Sequence, residues 1–317
     1  MNIAIFGATG SIGTVAAPEL LSRGHRVRVV GRNAARLDAA FPGCETLVAD
    51  LADPVQARRA ADGMDAILYS VGLPYPDFAQ YAPQMRTAIG AARDAGVRHF
   101  LAISTVYPYG RPRAARVDET HSRDPQTRKG AARKEQADIV LAAHDPAGLA
   151  TAVLVLPDFY GPNLQNTHLT AVFAGAAGGT TAAVIGPIDR PHEFVYVPDV
   201  APVIAEVFAQ PAAFDGSVYH LGGAGTIVPR DMYEQAYREA GREPKLLVAG
   251  VAFQRLLGIF NPLMREMVEM HYLWTEPVVL DDAKLAQTIG PLRKTPYADG
   301  IRASVAAAQQ PRVPVAA

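Results

Sequence analysis

Cysteine is nearly missing. Cys44 stands alone, which excludes an internal disulfide and a cysteine-built metal cluster and leaves a small core residue. An excess of either charge is missing too: Lys and Arg total 30, Asp and Glu total 31, and the formal net charge is −1. Nucleic acid and anionic membranes therefore have no electrostatic claim on this chain. No apolar run approaches the roughly 20 residues needed to span a bilayer. An apolar strand pattern starts at residue 2, leaving no room for a signal peptide, so the expected location is the cytoplasm. Internal repeats and His/Asp/Glu clusters at metal-ligand spacing are absent as well, and no metal site is expected. What is present, 317 residues with 49% hydrophobic and 19% charged side chains, suits a globular protein of one large domain or two unequal ones.

The first dozen residues organise the rest. Ile3-Ala4-Ile5-Phe6 is short, apolar and followed by Gly7, Gly10 and Gly13, which reads as a buried parallel strand running into a tight turn. Ile12, Val15, Ala16, Leu20 and Leu21 then recur at helical spacing as far as Gly24, and His25 to Val30 reads as a second strand. A glycine-rich strand-to-helix turn inside a βαβ unit is a dinucleotide-binding arrangement. Glycine lets the backbone approach a pyrophosphate, and the helix start offers unpaired N–H groups and a positive dipole end. Gly7, Thr9, Gly10, Ser11, Ile12 and Gly13 are the expected cofactor contacts.

The second strand ends in Gly31-Arg32-Asn33, with no acid before Asp38. An acid there would accept the ribose hydroxyls of NAD; an arginine suits the 2′-phosphate of NADP. NADP is therefore expected over NAD, with Arg32 on the phosphate and Arg36 as the second choice. A third strand, Cys44 to Val48, ends at Asp50-Leu51, where the aspartate either bonds the adenine amino group or caps the helix from Pro54. A fourth, Ala66 to Gly72, ends in small residues, so Ser70 and Val71 are expected beside the nicotinamide ribose. The loop Leu73 to Phe78 is a candidate pocket wall. A helix over Met85 to Ala95 leads to a fifth strand, His99 to Ser104.

With Gly7-Ala8-Thr9-Gly10-Ser11-Ile12-Gly13, Asp50-Leu51 and Ser104-Thr105-Val106-Tyr107-Pro108-Tyr109-Gly110 in view, the chain resembles the extended and atypical short-chain dehydrogenase/reductase superfamily. Leu156 to Pro162 and Phe194 to Ala201 extend the likeness, which points to the NAD-dependent epimerase/dehydratase branch and covers the chain to about Val305. The resemblance implies an α/β fold, a doubly wound parallel (Rossmann) sheet with a smaller C-terminal substrate-binding region. Residues 1–160, with return segments near 193–222, would form the dinucleotide-binding domain, 161–305 the substrate region, and 306–317 a loose tail. It also suggests a homodimer formed through the helix after strand five.

The family places a Ser or Thr at the end of strand five and a Tyr-x-x-x-Lys pair on the next helix. The lysine lowers the tyrosine pKa and orients the ribose, and the tyrosine carries the proton. Thr105 falls at the first position. On the helix from Thr127, Lys134 fits the lysine, but Gly130 stands four residues earlier; sliding to Lys129 finds Pro125. The usual acid is absent. A substitute is expected among Tyr107, Tyr109 and Tyr160, all at carboxyl ends of strands, with Tyr160 preferred as a pocket residue and Tyr109 more structural. Asp158 either positions Tyr160 or caps its loop, His192 either faces the pocket or sits at the surface, and Asp199 reads as a helix N-cap.

Beyond, a small-residue helix and a Gly-rich link run from Asn163 to Thr181, and Ala182 to Gly186 resembles the family's substrate-domain strand. The stretch Phe253 to Trp274, rich in Phe, Leu, Ile and Met, reads as a lid over a partly apolar substrate. The leading expectation is an NADP(H)-dependent oxidoreductase acting on a carbonyl or secondary alcohol of a small, partly apolar metabolite, with Thr105 and a displaced tyrosine at the reacting oxygen and Lys134 holding the ribose and lowering the pKa of that donor. The alternatives are a catalytically silent NADP(H) sensor and a sugar-nucleotide epimerase or dehydratase.

Overall fold

Strands that are apolar on both faces need helices on both sides, and the chain supplies them in alternation. The computed structural model describes residues 1–162, 164, 168–260 and 262–310. Its first half runs β1 (Asn2–Phe6), α1 (Ser11–Ser22), β2 (Arg26–Gly31), α2 (Ala34–Ala40), β3 (Glu45–Val48), α3 (Pro54–Ala61), β4 (Ala66–Tyr69), α4 (Tyr81–Asp94), β5 (His99–Thr105), α5 (Arg128–Ala142) and β6 (Ala150–Leu156). There follow β7 (Asp158–Tyr160), α6 (His168–Gly178), β8 (Ala182–Ile185), β9 (His192–Tyr196), α7 (Val197–Ala209), β10 (Val218–His220), β11 (Thr226–Ile227), α8 (Pro229–Glu239) and β12 (Leu246–Ala249). The C-terminal part is helical: α9 (Val251–Gly258), α10 (Pro262–Glu269), α11 (Tyr272–Thr275), α12 (Ala283–Ile289) and α13 (Tyr297–Gln309).

Seven parallel strands form the main sheet in the order β10-β6-β5-β4-β1-β2-β3. Side chains alternate across it. Ala4, Phe6, Ile67, Tyr69 and Phe100 pack under α3, α4 and α5, while Ile3, Ile5, Leu68 and Leu101 pack against α1 and α7. The chain reverses sides between β1 and β4, and every loop leaving a strand end opens on one edge, where open α/β sheets hold their ligands.

A second body is built on the sheet β11-β9-β7 and the pair β12-β8, with α6, α8 and α13 enclosing a core of Phe173, Phe194, Tyr160, Tyr233, Tyr237 and Trp274. β10 returns to the main sheet, whereas β9 joins this smaller one. Two expected elements differ. Helix α7 starts at Val197, so Asp199 lies in its first turn, and its carboxylate accepts the Thr295 N–H (2.6 Å) and hydroxyl (2.7 Å) rather than capping. Helix α13 carries the chain to Gln309 with Val305 buried, well into the segment expected to be loose; residues 311–317 lie outside the described residues. The small-residue helix begins at His168, and its expected start at Asn163 also falls outside them.

Candidate functional site

Gly7 takes φ +84°, and a side chain on it would stand 2.9 Å from the Ser70–Val71 backbone. Only glycine lets the loop settle on the end of β4. Gly13 is bound as tightly, because a Cβ there would run into the Ala8 carbonyl oxygen. Gly10 is exposed and caps α1 with no side-chain hydrogen bond, and the first turn contains no acid. The opening N–H groups of a twelve-residue helix thus face the strand ends with nothing of the protein's own charge upon them. Thr9 and Ser11 flank this opening half-buried, and Ile12 is buried beneath it.

Around it, Arg32 is exposed at the end of β2, with no hydrogen bond or ion pair among the described residues. Asn33 beside it caps α2 by accepting the Arg36 N–H at 3.0 Å. Asp50 holds a turn, its Oδ1 accepting from Ala52 N, while the cap of α3 is Asp53. Asp50 therefore does not cap that helix, and Leu51 beside it is buried. Ser70 is tied back to β1, its hydroxyl donating to the Phe6 carbonyl at 3.2 Å, so it is the backbone there, with Val71, that lines the cleft. These residues fit a dinucleotide: a backbone cradle, an uncapped helix start for the diphosphate and a free cation at the ribose end.

Beside β4 the end of β5 presents Thr105, which pairs in register with Leu156 of β6. The Tyr107 N–H reaches Thr105 Oγ1 at 3.4 Å, leaving the threonine hydrogen free to point elsewhere. Tyr109 turns inward, its hydroxyl 2.5 Å from His220 Nε2, in the structural slot expected for it. Tyr160 is buried, stacked on Tyr297 (centroids 5.6 Å apart), with its hydroxyl against Gly300 and without a hydrogen-bond partner. Burial holds that phenol far above its ordinary pKa. The expectation of Tyr160 as a pocket donor is corrected accordingly: the pleat of β7 sends the residue into the core of the second body.

Residues 7–150 match a family model described as NAD(P)H-binding. Among solved structures, the dTDP-glucose 4,6-dehydratase DesIV of Streptomyces venezuelae, with NAD and TYD bound, is similar over 96% of each chain, at 20% identity and a TM-score of 0.79. The UDP-glucuronic acid 4-epimerase of Bacillus cereus, in complex with NAD, covers 98% of this chain with 97% of its own at 14% identity and TM-score 0.79. The enzyme WbmH of Bordetella bronchiseptica, in complex with NAD+, gives 20% identity, TM-score 0.74 and coverage of 96% and 97%. No curated protein matches the chain. The chain thus carries an NAD(P)H-binding segment over residues 7–150 and shares the fold of these enzymes along nearly its whole length.

Within that fold the helix after strand five is where this chain departs. Lys134 is turned outward and pairs with Asp138 one turn on (2.6 Å), which also meets Arg123. At 100° per residue the face of α5 toward the sheet is Lys129 with Gly130, then Arg133, then Gln136 with Ala137, then Val140. The cations buried on that face are Lys129 and Arg133, four residues apart, whereas Lys134 is half-exposed. Arg133 is 4% exposed, donates to the Ile103 carbonyl at 3.2 Å and lies 4.4 Å from the Tyr81 ring centre. Lys129 is 2% exposed and is held by Glu266 and Glu269 of α10. The spacing permits this face but does not select it, because cations stand at 128, 129, 133 and 134. His192 is not a surface residue: it is buried and bonded to Asp158 at 2.9 Å. Among the described residues no metal-sized group of His, Cys, Asp and Glu occurs, and no helix is long and apolar enough to cross a membrane.

Proposed function

We propose that this protein is an NAD(P)-dependent enzyme working at a carbon that bears a hydroxyl or carbonyl oxygen, with NADP preferred. A nicotinamide supplies or receives the hydride. The chain's own part is to hold the diphosphate at the start of α1, to meet a 2′-phosphate with Arg32, and to hydrogen-bond the reacting oxygen through Thr105 and the neighbouring Tyr107. Thr105 carries the reading, because it stands at the strand end beside the glycine cradle with its hydrogen uncommitted. Arg133, inward-facing and fixed on Tyr81 and β5, takes the place reserved for the ribose-side cation, and Lys134 is left to the surface.

The substrate favoured is a sugar nucleotide, undergoing epimerisation or dehydration. Likeness to the dehydratase and epimerases runs through the C-terminal body as well as the nucleotide domain. Reduction of a small, partly apolar metabolite is the second reading, favoured by the apolar stretch from α9 to Trp274; the Phe253 side chain within it lies outside what is described. Incubation with NAD+ or NADP+ and UDP-glucose or dTDP-glucose, followed by proton NMR, should show a converted sugar. NADPH oxidation across a carbonyl panel with no sugar conversion would select the second reading. Tight NADPH binding with no turnover in either assay would leave the silent sensor.

A further inference from the structure

Of the eight large apolar side chains exposed among the described residues, five lie between Leu247 and Phe260. Three stand where α9 turns into α10: Leu256 is 58% exposed, Ile259 67% and Phe260 85%. The backbone keeps them together, since the Ile259 N–H donates to the Leu256 carbonyl at 3.3 Å. Helix α9 is fixed to β12 by Gln254, which is buried and donates from Nε2 to the Ala249 carbonyl at 2.6 Å. Ala252, Arg255, Leu256 and Ile259, at the i, i+3, i+4, i+7 spacing of one helical face, are all exposed. Apolar groups gathered on the outside of an anchored helix mark a contact surface.

The charge around them has one sign. From Leu246 to Arg265 the sequence carries Arg255 and Arg265 and no Asp or Glu. Both arginines are exposed, and neither guanidinium has an ion pair or hydrogen bond among the described residues. Gly258 at the end of α9 lies against the Arg265 backbone, so the second cation flanks the apolar turn. The acids that follow, Glu266 and Glu269, are committed to Lys129 on α5. The balanced total charge, which gave no reason to expect an anionic membrane, averages over this stretch; attraction at a surface is local and fades within a Debye length.

Two kinds of occupant suit an apolar surface, and the arginines separate them. A second copy of the chain, related by a two-fold axis, would bring the same cations face to face, where like charges repel. An anionic lipid surface accepts both features, with apolar side chains entering the boundary below the headgroups and arginines staying among the phosphates. We propose that the α9–α10 turn seats this protein on an anionic lipid surface, with Ile259 and Phe260 inserted and Arg255 and Arg265 at the headgroups. The seat lies at the rim of the strand-end cleft, because α10 packs on the turn Tyr75–Gln80 after β4 and is held to α5 through Lys129. Attachment here is independent of the reaction assigned above.

Co-sedimentation of the full chain with vesicles of phosphatidylcholine, alone or mixed equally with phosphatidylglycerol, tests this. The parent should pellet with the mixed vesicles, less so as salt is raised, and only weakly with phosphatidylcholine. Phe260→Ser should weaken binding to the mixed vesicles by about tenfold, and Arg255→Gln and Arg265→Gln by about fivefold each. Trp274, the single tryptophan, is buried, so in Phe260→Trp a blue shift and quenching by brominated lipid should report insertion of the turn. NADPH affinity by fluorescence should match the parent in every variant, which separates lost attachment from lost folding. No pelleting with mixed vesicles, equal pelleting with both compositions, or pelleting that survives Phe260→Ser overturns the proposal. A dimer in sedimentation velocity that Phe260→Ser dissociates would give the surface to a second copy and overturn it too. Failure of the parent to bind NADPH would instead count against the proposed reaction, and the vesicles would still decide the attachment.

Discussion

Arg32 and Gly13 show how far single residues bind the cofactor site to its sequence. Arg32 is exposed, unpaired and followed by a helix cap rather than an acid. Arg32→Glu should lower NADPH affinity by about tenfold or more and leave NADH nearly unchanged, since a charged hydrogen bond to phosphate is worth roughly 1.5–3 kcal/mol. Equal losses for both cofactors in a fluorescence titration would sink the phosphate assignment. Gly13→Ala acts on the backbone, because its methyl would meet the Ala8 carbonyl. A cost of about 2–4 kcal/mol in urea unfolding is expected, with NADPH binding lost as the turn shifts. Both residues were legible in the chain itself, one through glycine spacing and the other through a missing acid.

At the scale of elements, α5 separates what a pattern gives from what packing gives. Its start at Thr127 follows from the sequence, and the structure makes that residue the cap, with the Gly130 N–H donating to Thr127 Oγ1 at 3.0 Å. Its inward face does not, because cations stand at 128, 129, 133 and 134 and only contact with the sheet and α10 chooses among them. Lys134→Ala should cost no more than about 0.5 kcal/mol, as exposed i,i+4 pairs do. Lys129→Met should cost about 2–3 kcal/mol, because it strands two partly buried carboxylates. It should also speed limited proteolysis between α9 and α10, whose hold on α5 runs through Glu266 and Glu269. Similar unfolding curves for the two variants would contradict the face assigned to α5.

For the whole molecule, two buried groups set opposing pH dependences. Glu193 accepts the Gly223 N–H (3.2 Å) and the Leu280 N–H (2.8 Å), and burial pushes its pKa from 4.5 up to about 7. The folded chain then holds a proton that the unfolded chain releases, so from about pH 4.5 to 7 this site loses stability as pH rises. His220 is the reverse: burial pushes it from 6.5 down to about 4, the unfolded chain takes the proton first, and stability falls as pH drops from 6.5 toward 4. Their slopes oppose each other over nearly the same window. Glu193→Gln should therefore unmask a steeper gain in unfolding free energy between pH 4 and 6.5 than the parent shows; equal slopes would remove Glu193 from the account. The alternation of short apolar strands with helical spacing, and the glycines between the first pair, determined the parallel sheet and the cofactor cradle from the sequence alone, because both depend on neighbours within about 30 residues in a βαβ unit. The inward face of α5, the burial of Tyr160 and the pairing of Asp158 with His192 were decided only by tertiary structure. They join side chains from separate elements, and no local period records which of several similar residues faces which partner.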